Sequence, residues 1–279
     1  MDTLHTLVKP KLLFPVKGDD SLPNSNWPLI KKFNCLRPLS HRETNILKRL
    51  HEQEIMIGAR QEILNHGNLS QKSFIVNQGW AYRYYDISNG KRQIINYYLP
   101  GDIINPFALI SPKAMYSIAS ISPLYVSVFK PSYLISLFIT QPKLGLLYMK
   151  ILCEEDHLCM GQTVRLGCQT AYQRAAHLLL EFYYRLKIVG QTENNSFILP
   201  LTQQLLAETL GLSLVYMNRT INRLQLHKLM RINSKKISLL NIERLKQIAE
   251  YQALEEQPTK PGLAATRHKW STLTNNTRH

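Results

Sequence analysis

The sequence predicts an α+β protein in three parts: an N-terminal antiparallel β-roll of the jelly-roll type, a long dimerisation helix, and a C-terminal winged helix-turn-helix. Three observations predict this order. Between residues 55 and 130, short β-branched and aromatic runs alternate with turn signals. After Pro142 the apolar period changes from two to about 3.6. The stretch TQQLLAETLGLSLVYMNRTINRL, residues 202–224, has the spacing of two helices joined at one glycine.

Composition limits the classes of protein to which the chain can belong. Its 279 residues suffice for one or two domains, and 44% apolar residues are typical of a globular chain. The net charge of +15 favours a polyanion or an anionic membrane surface as partner. No uncharged apolar run approaches the ~20 residues of a membrane span, and the N-terminus lacks a secretory signal pattern. We therefore expect a cytoplasmic protein that does not bind membranes.

The N-terminal half is predicted to be a short arm followed by the β-roll. Residues 1–30 carry four prolines and little periodicity, which predicts a loosely packed arm. Residues 31–141 form the predicted roll, and within them Ser40 and Glu43 predict a capping box at the start of a helix. Asn89-Gly90 predicts a tight hairpin turn, and Pro100-Gly101-Asp102 predicts a second bend.

Residues 142–167 are predicted to be one long helix. Gly167 is expected to interrupt it, and a second helix is expected at 171–189. A helix this long that projects from a β domain usually finds a partner helix, most simply its own copy. The sequence therefore predicts a homodimer through residues 142–165. Its amphipathic stripe is expected to consist of Leu144, Leu147, Ile151, Leu158 and Val164.

Residues 168–252 are predicted to form the winged helix-turn-helix domain. Residues 253–279 have the composition of a disordered basic tail. Thr202 and Ser213 are expected to cap the two helices, with Gly211 in the turn between them. The segment KLMRINSKKISLL predicts two short strands, and IERLKQIAEY predicts a closing helix. The buried face of the two helices is expected to include Leu206, Ala207, Leu210, Met217, Ile221 and Leu224.

The outer face of this unit has the composition of a surface that binds double-stranded DNA. Between residues 214 and 246 there are eight Lys and Arg residues against one acid, a density suited to neutralising phosphates. The candidate contacts to base edges are Ser213, Leu214, Val215, Asn218 and Arg219. The candidate contacts to the DNA backbone are Thr202, Tyr216, Asn222, Arg223, Lys235 and Lys236.

Residues 35–252 resemble the Crp/Fnr superfamily of bacterial transcription regulators. The segments that carry the resemblance, in order, are GWAYRYYDISNGKRQIINYYLPGD, LGCQTAYQRAAHLLLEFYYRL, LTQQLLAETLGLSLVYMNRTINRL and ISLLNIERLKQIAEY. The resemblance implies a sensory roll like a cyclic-nucleotide-binding domain, a parallel dimer, and a winged helix that reads palindromic DNA. It also implies RNA polymerase as a further partner. Half-sites of such a dimer lie about 34 Å apart.

Departures from the family pattern change the expected mechanism. Members that bind cyclic AMP carry a Glu that holds the ribose and an Arg that pairs the phosphate, at positions that align here with Pro106 and Ala114. Lys113 lies beside the second position but lacks the planar fork of an arginine. We therefore expect no cyclic AMP site, while another small effector in this apolar pocket, or none at all, remains open.

The cysteines predict no cofactor. Only Cys35 lies near the N-terminus, whereas a [4Fe–4S] cluster takes four thiolates, so no iron–sulfur cluster is expected. The spacing of Cys153, Cys159 and Cys168 fits no zinc site. We expect these three to be small buried residues, with a redox-sensitive thiol at the dimer interface as the alternative.

The recognition residues leave the half-site sequence open. Arg219 suits guanine, and Val215 suits a thymine methyl group where many family members place a Glu. Asn218 suits either an adenine edge or a phosphate.

Other classes of function have less support. No histidine cluster, nucleophile motif or phosphate-binding loop indicates an enzyme. The remaining alternatives are a dimeric sensor that binds protein and a DNA binder without sequence choice. Whether a regulator of this kind activates or represses, and at which genes, cannot be read from its sequence.

Overall fold

The N-terminal half of the protein is built from two antiparallel sheets that bury one apolar core between them. The computed structural model describes residues 14–15, 26–87, 92–106, 108, 110–111 and 113–251, to which all structural statements refer. One sheet has the strand order β1-β2-β9-β4-β7, and the other has the order β3-β8-β5-β6. The strands are β1 (Phe14–Pro15), β2 (Gln53–Ile57), β3 (Glu62–Leu64), β4 (Ser73–Gln78), β5 (Ala81–Asp86), β6 (Arg92–Tyr98), β7 (Ile103–Ile104), β8 (Ser117–Ser120) and β9 (Leu124–Phe129).

The predicted hairpin is present in the second sheet. Strands β5 and β6 pair antiparallel from Ala81 opposite Tyr98 to Asp86 opposite Arg92, with a bulge after Arg83. The predicted turn residues Asn89-Gly90 lie outside the described residues, as does the predicted tail at 253–279. The pairing nevertheless brings the two strands together as the turn signal requires.

Helices flank the roll on both sides in sequence. The helices before and after it are α1 (Pro28–Leu36), α2 (His41–Lys48), α3 (Ser132–Thr140), α4 (Pro142–Cys168) and α5 (Ala171–Ile188). The capping box that was predicted for α2 is present: the Ser40 hydroxyl accepts from the Glu43 amide, and the Glu43 carboxylate accepts from the Ser40 amide. Helices α1 and α3 were not predicted.

The predicted N-terminal arm ends earlier than residue 30. Trp27, Leu29 and Ile30 are buried. Together with Phe33 they pack against Leu144 and neighbouring residues of α4 in a second apolar core. Pro28, interpreted from the sequence as part of a loose arm, is instead the first residue of α1, a position that proline favours because its missing N–H has no intrahelical partner there.

Helix α4 differs from the prediction in its end and in its faces. It continues through Gly167 to Cys168 without interruption. Leu144 and Ile151 face the rest of the chain, but Val164, which was predicted to share their stripe, is exposed on another side. The acidic run of the helix is not uniformly solvated, because Glu155 is buried within it. The exposed apolar residues of α4, together with exposed Cys153, form a separate stripe: Leu146, Met149, Cys153, Met160 and Val164.

The prediction that the cysteines of this region are buried is wrong for two of three in the single chain. Cys153 and Cys168 are exposed, and Cys159 is half-buried. Their positions on α4 explain the difference, because the buried side of that helix is taken by Tyr148, Ile151 and other larger residues.

The C-terminal unit has the predicted elements and one more. Its small sheet has the order β10-β12-β11, of which strand β10 was not predicted. Phe197 in this strand is buried, whereas the next residue, Ile198, is exposed. The elements are β10 (Ser196–Ile198), α6 (Gln203–Leu210), α7 (Leu214–Leu226), β11 (Met230–Asn233), β12 (Lys236–Leu239) and α8 (Ile242–Ala249).

One face of β5 and β6 shares a continuous apolar core with the C-terminal unit, separate from the core between the two sheets. The Phe182 ring of α5 meets the Trp80 ring at 5.0 Å and the Tyr97 ring at 5.1 Å between centroids, in edge-to-face arrangements. All three side chains are buried. The aromatic face of β5 and β6 therefore holds α5 and, through it, the helix-turn-helix.

A buried ion network ties the same parts together. Asp102, in the predicted Pro-Gly-Asp bend, bonds Lys32 of α1 at 2.7 Å and Arg185 of α5 at 2.6 Å. Arg185 also contacts Glu181, which in turn bonds Arg165 of α4 at 2.8 Å. Burial alone would raise the pKa of the Asp102 carboxyl, but Lys32 and Arg185 outweigh it and hold that pKa below its usual value.

Glu155 lies near this network but lacks a full set of partners. Its Oε1 is buried without a hydrogen-bond partner. Burial raises the pKa of this carboxyl to about 7, against the opposing influence of Lys32, Arg83 and Arg185. The folded protein therefore favours the protonated form of this group up to near-neutral pH.

We predict that Glu155→Gln makes the free energy of unfolding less dependent on pH. Because the pKa of the Glu155 carboxyl is raised in the folded state, its contribution to the free energy of unfolding is fully present below about pH 4.5. That contribution is lost as pH rises through about 7. Relative to the variant, the free energy of unfolding of the wild type should fall by on the order of 1–3 kcal/mol over that pH range. Denaturant unfolding at several pH values measures it, with exposed Glu52→Gln as control. Parallel curves for wild type and Glu155→Gln would contradict the prediction.

Candidate nucleic-acid interface

The helix pair α6–α7 is set by two side-chain caps and one left-handed glycine. The Thr202 hydroxyl accepts from the Leu205 amide at 3.2 Å, and the Ser213 hydroxyl accepts from the Tyr216 amide at 3.2 Å. Gly211 ends α6 with φ of 63°, a conformation in which a side chain is unfavourable. Both predicted caps and the predicted turn glycine are therefore present.

Helix α7 has one buried side and one exposed side. The predicted core residues of the pair, from Leu206 to Leu224, are buried. On the exposed side, Leu214, Val215 and Tyr216 are 42%, 61% and 51% accessible, which leaves apolar surface facing solvent at the start of the helix. The other predicted contact residues exposed on this surface are Ser213, Arg219, Asn222 and Arg223.

Asn218 is placed differently from its predicted neighbours. It is half-buried, and its Oδ1 is inaccessible to solvent and has no hydrogen-bond partner. A bidentate contact with adenine needs both the oxygen and the nitrogen of the amide. In this rotamer Asn218 does not present that pair of atoms at the surface.

The predicted backbone contacts flank α7 on two sides. Thr202 lies exposed at the start of α6, and Lys235 and Lys236 lie exposed at the turn between β11 and β12. Ser234 makes this turn with φ of 56°. Lys236 contacts Glu193 at 3.2 Å, but both side chains are largely exposed, so the pair restrains the lysine only weakly.

Tyr172 was not predicted to belong to this surface, yet it holds one of its arginines. The Arg223 guanidinium lies 4.7 Å from the centre of the Tyr172 ring, and the Tyr172 hydroxyl meets His227 Nδ1 at 2.8 Å. Tyr172 is in the first turn of α5, far from α7 in sequence. No local pattern could have revealed this contact.

The inner face of the roll is occupied by its own side chains. The residues aligned with the family's ribose and phosphate contacts, Pro106 and Ala114, are both buried. Ala114 shares an apolar core with Tyr98 and Tyr116. The Arg83 guanidinium lies 4.6 Å from the centre of the Tyr116 ring and donates to Cys159 Sγ at 2.7 Å. A side chain from β5 thus reaches across the roll to α4.

The described part of the chain contains neither a metal-binding cluster nor a membrane-spanning helix. No group of three or more His, Cys, Asp or Glu side chains among these residues is arranged to hold a metal ion. None of their helices is long and apolar enough to cross a membrane.

One part of the chain matches a known domain family, and most of the chain is similar to known proteins. Residues 173–248 match the Crp-like helix-turn-helix domain. The chain is 26% identical over 217 residues to the transcriptional activatory protein AadR of Rhodopseudomonas palustris, which covers 77% of this chain and 87% of AadR. The chain therefore contains a Crp-like helix-turn-helix domain and is similar, over most of its length, to a transcriptional activatory protein.

Two further proteins are similar over most of their length. The nitrogen fixation regulation protein FixK of Bradyrhizobium diazoefficiens is 23% identical over 197 residues, covering 71% of this chain and 82% of FixK. The solved structure of FixK2 from Bradyrhizobium japonicum has a TM-score of 0.64 at 23% identity, covering 72% of this chain and 98% of that one. The latter likeness confirms the predicted fold of roll, long helix and winged helix-turn-helix.

Proposed function

We propose that this protein is a homodimeric regulator that reads a palindromic DNA site through α7 and does so without cyclic AMP. The observation that carries the proposal is the exposed side of α7, capped by Ser213 and flanked by the lysines of the β11–β12 turn. A capped helix that exposes Val215 and Arg219 near its N-terminal end is suited to the major groove. The relatives named as transcription regulators support the same role.

The exposed side chains are suited to contact different parts of the DNA. Arg219 is suited to pair guanine O6 and N7, and Val215 is suited to contact a thymine methyl group. Ser213 and Leu214 would lie against neighbouring base edges. The contacts proposed for phosphates are Thr202, Tyr216, Asn222, Arg223, Lys235 and Lys236, which surround α7.

Dimerisation is supported by the exposed stripe on α4. Its residues follow one another at steps of three, four, seven and four, which keeps them on one side of the helix, as a helix–helix interface requires. A second copy of the chain presents the same stripe, so a two-fold axis along α4 covers both. Leu146 and Met160 are each 55% accessible in the single chain, which this pairing would bury.

Independence from cyclic AMP is supported by the inside of the roll. Pro106 and Ala114 supply neither a carboxylate for a ribose nor a cation for a phosphate. Arg83 and Tyr116 lie against each other near that position. On this view the protein acts in the cytoplasm without an iron–sulfur or metal cofactor, and RNA polymerase is its further partner.

Selection of bound duplexes from a randomised pool tests the proposal. We expect the purified full-length protein, without ligand, to enrich an inverted repeat with half-sites about 34 Å apart. Added cyclic AMP should change neither the sequence nor the affinity. Enrichment only with cyclic AMP would contradict ligand independence. Binding without enrichment would show a non-specific DNA binder, and no binding would favour a sensor that contacts protein.

Two single substitutions separate base reading from phosphate binding. Arg219→Ala should weaken the binding free energy for the selected site by about 1–3 kcal/mol and abolish discrimination at one base pair in each half-site. Lys235→Ala should weaken binding to all sequences evenly. It should also reduce the slope of log affinity against log salt concentration by about one per half-site. Fluorescence anisotropy with a set of single-base variants measures both. An even loss for Arg219→Ala would show that this arginine contacts only the backbone.

A charge placed in the α4 stripe should dissociate the dimer. We expect Met160→Asp to yield monomers by light scattering and to lose binding to the full inverted repeat, because a buried unpaired carboxylate is unfavourable. Met115→Asp is a matched control, since Met115 is 57% accessible on the roll and Met160 is 55% accessible. In a Cys35→Ser/Cys168→Ser background that keeps Met160, mild oxidation should join two copies at Cys153. A Met160→Asp protein that stays dimeric would refute this interface.

A further inference from the structure

The end of α6 is bonded by side chains from three other elements. The last carbonyls of a helix have no partner within it and must bond elsewhere. Here Gln93 of β6 donates to Glu208 O at 3.3 Å, Gln162 of α4 donates to Thr209 O at 2.6 Å, and Arg174 of α5 donates to Leu210 O at 2.9 Å. Two of these three donors lie outside the matched helix-turn-helix domain.

The Thr209 side chain adds a second connection to the roll. Its hydroxyl donates to Leu205 O at 2.7 Å, so the Tyr97 hydroxyl, 2.5 Å away, is the donor of the bond between them. Both residues are buried. We use the term α6 clamp for Gln93, Tyr97 and Gln162, the three side chains of the roll and of α4 that bond residues 208 and 209.

Gln162 is the central member of the α6 clamp. Its Nε2 also donates to Ile94 O at 3.3 Å, so one amide group joins α4, β6 and α6. The side chain is buried at 2% accessibility, and its Oε1 has no partner. A buried amide with an unpaired oxygen is costly compared with an apolar side chain. Gln162 thus supplies a donor to two backbone carbonyls and leaves one amide oxygen unpaired.

The position of the clamp connects it to DNA reading. Thr209 lies two residues before Gly211, and α7 begins three residues after that glycine. The turn is short, so a displacement of the end of α6 must displace the start of α7. The orientation of α7 thus depends on β6 and α4.

We propose that Gln162, with Gln93 and Tyr97, is a positioning residue for DNA recognition: it fixes the direction in which α7 leaves the turn. This inference rests on the proposed reading of DNA by α7. With the clamp intact, the two recognition helices of a dimer have one separation. Without it, each swivels about the turn, and the dimer accepts a wider range of half-site separations.

Two measurements on the full-length protein test this. Gln162→Leu removes the amide and keeps a similar volume, and Thr209→Val removes the hydroxyl that Tyr97 bonds. The matched control is Gln169→Leu, because Gln169 also has a buried unpaired Oε1 and donates to a helix-terminal carbonyl, but to Ala249 of α8 at 3.1 Å. The first measurement is amide hydrogen exchange, and the second is affinity for the selected site with and without one base pair added between the half-sites.

We expect Gln162→Leu and Thr209→Val to raise exchange in residues 203–224 about tenfold, as for a locally loosened element. Both should reduce the preference for the correct spacing by a similar factor, while Gln169→Leu changes neither. Faster exchange throughout the chain with spacing preference intact would show a purely structural role and overturn the proposal. Unchanged exchange in residues 203–224 would overturn it as well. If the wild type selects no site, the proposed function fails, and exchange alone still decides whether the clamp restrains α6–α7.

Discussion

The structure depends on one buried carboxylate. Asp102 ends the bend after β6 and holds Lys32 of α1 and Arg185 of α5 through its two oxygens. The Leu99 amide also donates to it, at 2.7 Å. A carboxylate in such a site is stabilised by both cations, and removing Arg185 would leave two buried carboxylates, Asp102 and Glu181, with one cation fewer. Three separate parts of the chain are therefore fixed relative to one another at a single residue.

This arrangement gives the DNA-binding surface a defined support. Helix α5 is held on the roll by Arg185 and by the Phe182 ring, and its first turn presents Tyr172 to Arg223. The basic surface is thus positioned by contacts made near the other end of the same helix. The apolar start of α7, with Val215 exposed beside Arg219, is the part of that surface least suited to solvent alone. A groove that offers methyl groups and acceptor atoms complements both kinds of side chain.

The sequence predicted those elements whose signals are local. Caps at Ser40, Thr202 and Ser213 and the turn at Gly211 were all predictable, because each depends on a few adjacent residues. Strand β10 and helix α3 were missed, since β10 is short and its partner β12 lies about forty residues away. The faces of α4 were assigned incorrectly for a related reason. Both sides of that helix carry apolar residues, and periodicity cannot say which side meets the same chain.

In the candidate site, too, some residues could be predicted from the sequence and others could not. The residue types exposed on α7 follow from the spacing of its buried residues, so most could be named in advance. The half-burial of Asn218 and the contact of Tyr172 with Arg223 arise from packing between helices that are distant in sequence. No window of residues encodes them. The bonds from Gln93 and Gln162 to the end of α6 are of this kind too.

The core shared by Trp80, Tyr97 and Phe182 has a thermodynamic consequence. Domains with separate cores unfold separately, but a roll and a winged helix that bury the same rings form one cooperative unit. Any ligand that binds only the folded state then stabilises all of that unit, by an amount set by its concentration relative to its dissociation constant. A duplex held at one end of the molecule would therefore protect the strands at the other end from proteolysis.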